Sequence, residues 1–554
     1  MTLPEDSNSG ARVNVSRFLD RMGTERGDAS ALLIPRGRDR QGDIDYLQLS
    51  FRELAIEQDG WAARLRERGI QRGSRVLLMA RPGLPLIALC FALFKIGAVP
   101  VVIDPGMGLR SFLACVRRSE PEALVGIGLA IWVSRIFRSA FRSVRTKVMV
   151  GGPLSRAPVA ENGAGIQAAE TRSDDLAAIL FTSGSTGAPK GVCYEHGMFE
   201  AQVEAIRAEY GIEPGEVDLP MLPIFALFNP ALGMTTVVPE INPSKPATVD
   251  PAKIVQAIEQ CGVTNSFGSP VLWKKIGAYC AKRGKRLPSL KRILMAGASA
   301  PPELMRQFRG LLKDGHAYSP YGATEVLPVS SISDEAIIDL TRDDALLGKG
   351  TCVGRPLPGV EVRILASSDG VLDASALDSP VEQGEIGEIV VTGPSVTKQY
   401  DRLPGPTREA KILEGSRVWH RMGDLGYFDL EGRLWFCGRK VERVETGDAV
   451  FFTDCCEGVF NRLEEVYRSA LIAYSVDGKT VPAIAIEPMP DCFPENGQAR
   501  DAFIAKLIEI GSKTDATRPI DRFVFQKAFP VDVRHNAKIH RLALAKRITA
   551  GSMG

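Results

Sequence analysis

The stretch "FTSGSTGAPKG" at residues 181–191 follows the apolar run "DDLAAIL" at 174–180. The run reads as a buried strand entered from a polar turn, and the loop after it closes on a lysine. Glycine lets backbone N–H groups approach an anion and point the same way. Hydroxyls add donors, and lysine adds a compact charge suited to phosphate. Thr182, Ser183, Gly184, Ser185, Thr186, Gly187 and Lys190 are therefore a candidate phosphate cradle. It is not a Walker loop, whose lysine directly follows a glycine; here Pro189 precedes it. Composition alone also allows a flexible surface turn.

A strand feeding such a loop needs a sheet. "FRELAIEQDGWAARLRERG" (51–69) has helical spacing, and "SRVLLMA" (74–80) is a short strand. "PLIALCFALFKIG" (85–97) is an apolar helix ended by glycine, and "AVPVVIDPG" (98–106) is a strand stopped by proline and glycine. That order predicts an α/β fold with parallel-rich sheets and crossover helices, and it recurs up to "LKRILMAGAS" at 290–299. A chain of 554 residues is too long for one core. Beyond residue 356 the texture changes to short strands between Gly and Asp-Gly turns, as in "LGYFDLEGRLWFCGR". This predicts a large N-terminal domain over 1–438, built from two αβ subdomains plus a small β-rich one over about 353–438. A small mobile α+β domain follows over 439–554.

A formal net charge of +2 gives no global field for nucleic acid. The polar, acidic start lacks the basic and apolar regions of a secretory signal. Residues 219–239 carry no charge over a length that could span a bilayer, but Pro220, Pro223, Pro230 and Pro239 break any helix there. They predict the irregular wall of a pocket. The ten cysteines show no CxxC, and the five histidines no HExxH, so a structural metal is not expected; free thiols suit a cytoplasmic protein. "AIWVSRIFRSAFRSVR" (130–145) mixes apolar residues with arginines at helical spacing, the pattern of a peripheral membrane or partner contact or of a solvated face. His196 is expected to pack rather than to react.

Six further segments stand in order along the chain: "KIGAVPVVIDP" (95–105), "MAGASAPPEL" (295–304), "YGATE" (321–325), "VGRPLPGVEVRI" (353–364), "GEIGEIVVTGPSVTKQY" (384–400) and "HRMGDLGYFDLEGRLWFCGR" (420–439). With the glycine loop, the chain from about 45 to 547 resembles the adenylate-forming superfamily of acyl-CoA synthetases, luciferases and peptide-synthetase adenylation domains. The resemblance implies that a carboxylate attacks the α-phosphorus of ATP, giving acyl-AMP and pyrophosphate. It implies that the glycine loop holds the leaving phosphates, that Thr324 contacts the α-phosphate and that Glu325 ligates Mg²⁺. Gly297, Ala298, Ser299 and Tyr321 would lie along the adenine, and Asp424 would accept from the ribose hydroxyls with Arg439 beside it. Residue by residue, Asp424 also reads as a turn residue, Glu325 as a helix-start carboxylate and Tyr321 as core. The superfamily's C-terminal catalytic lysine corresponds to Lys538 in "FPVDVRHNAKIHR" (529–541), with Ala537 where a glycine is usual.

Two other departures stand out. Ala226 replaces the histidine that many acyl-CoA synthetases carry before the acyl pocket, and Val441 replaces the hinge Asp or Lys in "GRKVER". Together with "CYEHGMF", "LPIFALFNP" and "PVDVRHNAKI", they make the chain most similar to the β-lactone synthetases of bacterial long-chain olefin biosynthesis. That likeness implies adenylation of a long-chain 2-alkyl-3-hydroxy acid, followed by attack of its own 3-hydroxyl to close a β-lactone. A partner β-lactone decarboxylase and other olefin-pathway enzymes are implied too. No base for the hydroxyl is identifiable. Phe225, Phe228, Leu232, Met234, Phe267, Val271 and Trp273 are candidate walls for the alkyl branches. The rival readings are a long-chain acyl-CoA synthetase, a module loading a separate carrier protein, and a nucleotide-binding scaffold without turnover.

Overall fold

The computed structural model describes residues 12–158, 165–182, 188–242, 245, 248–531 and 539–551. The helix Phe51–Glu67 starts at Ser50, whose Oγ accepts the Glu53 N–H while the Glu53 carboxylate accepts the Ser50 N–H. This reciprocal cap satisfies two amides that the helix itself cannot. The next helix, Leu84–Lys95, is apolar and buried on nearly every side. A helix of that kind belongs inside a core, and it forms the crossover between the parallel strands Arg75–Met79 and Val99–Ile103.

Those strands belong to a six-stranded sheet in the order Thr146–Met149, Ala123–Gly126, Arg75–Met79, Val99–Ile103, Leu176–Thr182, Lys190–Glu195. All its pairings are parallel except the last, where Leu176–Thr182 and Lys190–Glu195 flank the glycine loop. A larger sheet begins with the hairpin Ser30–Arg38 and Ile44–Ser50, passes through parallel strands that include Asn265–Gly268 and Arg292–Met295, and reaches His316–Ala323. From Val326–Ser333 onward its pairings are antiparallel, through Thr351–Pro356, Leu434–Arg439 and Arg417–Phe428 to Glu361–Leu365. The turn-rich segment is thus hydrogen-bonded into the larger sheet rather than standing apart from it.

The C-terminal part is α+β. Strands Val466–Val476 and Lys479–Pro488 pair antiparallel, and Phe523–Phe525 adds in parallel. Helices Thr453–Phe460, Gly497–Gly511 and Arg541–Gly551 pack on this small sheet around cores of its own. The connection runs through Gly438, whose φ of +138° suits only glycine and whose added Cβ would lie 2.1 Å from Thr453 Oγ1. After it, Lys440 reaches Glu388 at 3.2 Å, and Glu442 accepts from Arg541 at 2.9 Å; Val441 between them is exposed.

Residues 219–239 form a 3₁₀ turn at Pro223–Leu227, a short helix at Asn229–Leu232 and a strand at Thr235–Val237. This is the irregular wall the prolines predict. Among the described residues no helix is long and apolar enough to cross a membrane. The helix expected over 130–145 spans only Gly128–Ile136. Beyond it Ala140 and Phe141 are buried in the core, while Leu129, Trp132 and Ile136 are exposed.

Candidate active site

One cavity of about 1540 Å³ opens between the sheets and reaches the C-terminal part. Thr324 and Glu325 stand at its wall as the two-residue turn joining His316–Ala323 to Val326–Ser333. Two-residue hairpins usually take positive φ, yet neither residue does. A bulge between Tyr321 and Ala323 absorbs the mismatch. Tethers hold the turn from both sides: Tyr194 Oη donates to the Thr324 carbonyl, and Thr397 N donates to the Glu325 carbonyl at 2.9 Å. Glu325 is therefore a turn carboxylate, not a helix start, and Tyr400 Oη donates to its Oε1 at 2.7 Å.

Asp424 lies within the strand Arg417–Phe428, cross-strand from Arg439 on Leu434–Arg439, so it is not a turn residue. Gly423, with φ +65°, kinks the strand just before it. Tyr321 Oη donates to Asp424 Oδ2 at 2.7 Å, and Arg439 lies 3.1 Å from Oδ1. Burial and then the Asp424 charge push the Tyr321 phenol up, and Asp424 raises the Arg439 guanidinium, so the carboxylate is fixed between a hydroxyl donor and a positive charge. Tyr321, Asp424, Arg439, Gly297, Ala298 and Ser299 all line the cavity.

Thr182 ends its strand and pairs with Lys190 across the loop mouth. The Lys190 ammonium sits 4.8 Å above the Tyr400 ring. Ser183, Gly184, Ser185, Thr186, Gly187 and Lys538 lie outside the described residues. His196 is buried; its Nδ1 accepts from Val15 N at 3.3 Å, its ring packs on Phe94, and burial pulls it down to about 4. It packs, as expected. Among the candidate walls, Phe225, Phe228, Phe267 and Val271 line the cavity. Leu232, Met234 and Trp273 do not: each is buried in a hydrophobic core, Trp273 edge-on to Phe308 at 5.2 Å. Ala226 also stays out of the cavity.

Sequence reasoning missed three polar supports. Lys411 is buried and donates to the carbonyl of Thr397; burial pulls its ammonium down to about 7, against the opposing charge of Glu325. His420 lines the cavity and holds the Ala410 carbonyl at 3.2 Å through Nδ1. Burial, then the charges of Lys411, Lys190 and Arg439, keep it neutral. Tyr400 ties Lys190 to Glu325. The only signal for any of them is proximity in sequence to a motif: Tyr400 closes one and His420 opens another. Lys190, Tyr400 and Lys411 thus gather around Glu325, one of several carboxylates on the cavity wall. Among the described residues no three His, Cys, Asp or Glu converge as a metal cage. A Mg²⁺ that keeps its waters and takes phosphate oxygens needs no such cage.

A family model described as "AMP-binding enzyme" matches residues 15–401. The chain belongs to the AMP-binding enzyme family. Among AMP-binding enzymes it is 43% identical over 549 residues to an olefin beta-lactone synthetase of Xanthomonas campestris, covering 96% of this chain and 97% of that protein. It is 41% identical to one from Stenotrophomonas maltophilia, again over 96% and 97%. The ATP-bound MatB of Rhodopseudomonas palustris shares the fold with a TM-score of 0.77 at 20% identity, over 97% of this chain and 99% of that one. The AMP-binding fold accounts for the parallel-rich sheets, the long antiparallel extension and the small C-terminal domain seen here.

Proposed function

We propose that this chain activates a long-chain 2-alkyl-3-hydroxy acid with ATP and closes it to a β-lactone, releasing pyrophosphate and then AMP. The observation that carries the reading is the 43% identity, over nearly the whole chain, to an olefin beta-lactone synthetase. The cavity supports it by joining a polar nucleotide end to a wide aromatic one.

In the first step the acid's carboxylate oxygen bonds to the α-phosphorus and the bond to the β-phosphate oxygen breaks. The glycine loop and Lys190 hold the departing phosphates, Thr324 the α-phosphate, and Gly297, Ala298, Ser299 and Tyr321 the adenine. Asp424, held by Tyr321 and Arg439, takes the ribose hydroxyls. Glu325 is positioned to hold a Mg²⁺, which would neutralise phosphate charge when bound. Lys538 would carry positive charge to the attacking oxygen; its neighbours Ile539 and Arg541 line the cavity, which supports that role. In the second step the 3-hydroxyl oxygen bonds to the acyl carbon, its proton leaves, and AMP departs with its oxygen. The nucleophile is already tethered, so proximity replaces a second substrate. We place the start of the small domain at about residue 439 and assign it the lid. A β-lactone decarboxylase is the expected partner, and Leu129, Trp132 and Ile136 offer a peripheral membrane contact.

The test is mass spectrometry of products from a synthetic 2-alkyl-3-hydroxy acid with ATP and Mg²⁺, CoA omitted. Equal amounts of β-lactone and AMP are expected. A thioester formed at high turnover once CoA is added, with no lactone without it, would overturn the reading in favour of an acyl-CoA synthetase.

A further inference from the structure

The cavity runs from the polar groups around Asp424 to the aromatic wall and on to the C-terminal part. Its volume of about 1540 Å³ exceeds the roughly 300–1,000 Å³ of ordinary small-molecule sites. Its apolar walls also stand on two sides, one a sheet and the other a set of helices. On one side stand Val102 and Leu180, register partners on neighbouring interior strands of the six-stranded sheet. Both are only half-buried, whereas Val101, Ile103, Ile179 and Phe181, facing the opposite way, are fully buried. An apolar pair left open in the middle of a covered parallel sheet marks a space built to be filled. On the other side stand Val271, Leu304 and Ile337, from two helices and a π-helical turn at Ile337–Thr341. Such turns recur at functional sites.

A continuous aromatic row joins the two sides. Phe267 stacks on Phe225 at 3.7 Å, Phe225 meets Phe228 at 6.1 Å, Phe228 stacks on Phe199 at 5.0 Å, and Phe199 meets Phe94 at 6.5 Å. All five rings line the cavity.

Resting on the hydroxy-acid reading above, we propose that the two walls receive the substrate's two alkyl branches separately, one against Val102 and Leu180 and the other against Val271 and Ile337. One branch grows from C2 and the other from C3. Pinning both on opposite sides fixes the torsion about the C2–C3 bond, and with it the approach of the 3-hydroxyl to the acyl carbon. A single-chain acid would leave one wall unfilled, and each methylene withdrawn from water changes affinity about fourfold.

The experiment compares the full-length wild type with Val102→Phe and Val271→Phe by exchange of labelled pyrophosphate into ATP. Four synthetic acids are used: both branches long, the C2 branch cut to methyl, the C3 branch cut to methyl, and both cut. One variant is expected to lose tenfold or more in kcat/KM for acids long at one carbon and to recover wild-type rates when that branch is cut. The other variant should do so for the other carbon. Rejection of the same branch by both variants, or a wild-type profile from either, would overturn the proposal. Loss on all four acids would mean a damaged fold, and Val102→Leu and Val271→Leu then carry the same comparison. Failure of the substrate reading looks different: the wild type would exchange with linear fatty acids and with none of the four.

Discussion

At the end of the cavity proposed for the nucleotide the polar groups arrive already paired. Tyr321 and Arg439 hold Asp424, Tyr400 holds Glu325, and Tyr194 and Thr397 hold the backbone of Thr324 and Glu325. At the acyl end, rings from Phe94, Phe199, Phe225, Phe228 and Phe267 meet only through packing. A charge that must meet a reacting phosphate is best fixed beforehand, since reorganising dipoles during the reaction costs rate. An alkyl chain makes no directional demand, so its site needs shape and area alone. The two ends should therefore fail differently when cut.

The largest effect is expected at Lys538, which would serve both ends by meeting the carboxylate as it attacks. Lys538→Ala should lower the adenylation rate about 10²–10³-fold, with the KM for ATP and for acid nearly unchanged, measured by pyrophosphate release. A loss of ATP binding instead would move Lys538 to the nucleotide end. Next comes Asp424→Ala, which removes the proposed ribose acceptor and takes the partner of the Tyr321 hydroxyl away. A charged hydrogen bond of about 1.5–3 kcal/mol corresponds to a rise in the KM for ATP of roughly 10–150-fold, with the KM for acid little changed. At the other end, Phe225→Ala breaks two ring contacts and should raise the KM for acid about tenfold while sparing that for ATP. Equal effects on both substrates from either variant would break the comparison.

The same contrast explains what could be read before folding. Tyr321, Thr324, Glu325, Asp424 and Arg439 sit in short motifs because one hairpin and one strand pair set their geometry. Local sequence carries that information. Val102, Leu180 and Phe199 also lie in segments singled out above, yet they become cavity walls only because two sheets and a helix meet there, and the motif does not say which face each presents. Leu232, Met234 and Trp273 fail for the complementary reason: apolar residues near a wall look alike until packing decides which face each presents. The segment 130–145 had helical periodicity, and Ala140 and Phe141 keep its buried face although the helix ends at Ile136. Lys411 gave no signal, since its role comes from being cross-strand to His420.

Lys411 also provides the smallest test, because it is buried at the polar end with no carboxylate bonded to it among the described residues. Arg421, equally buried, meets carbonyls of Ser368, Gly370 and Glu409 and the carboxylate of Glu388. Among the described residues Lys411 hydrogen-bonds only to the oxygens of Thr397. Its pKa falls from 10.5 to about 7 because burial disfavours the ammonium. Between those values the unfolded chain binds a proton that the folded chain lacks, so stability should rise with pH across that window. Below pH 7 both states are protonated and the full penalty of burying the charge applies. Lys411→Met removes the titration at the cost of the hydrogen bonds to Thr397. The variant should melt about 2–5 °C above wild type at pH 6, with the gap closing toward pH 10. A gap independent of pH would mean that Lys411 stays ionised when folded and is paired as well as Arg421, and the polar end would then hold no poorly matched group.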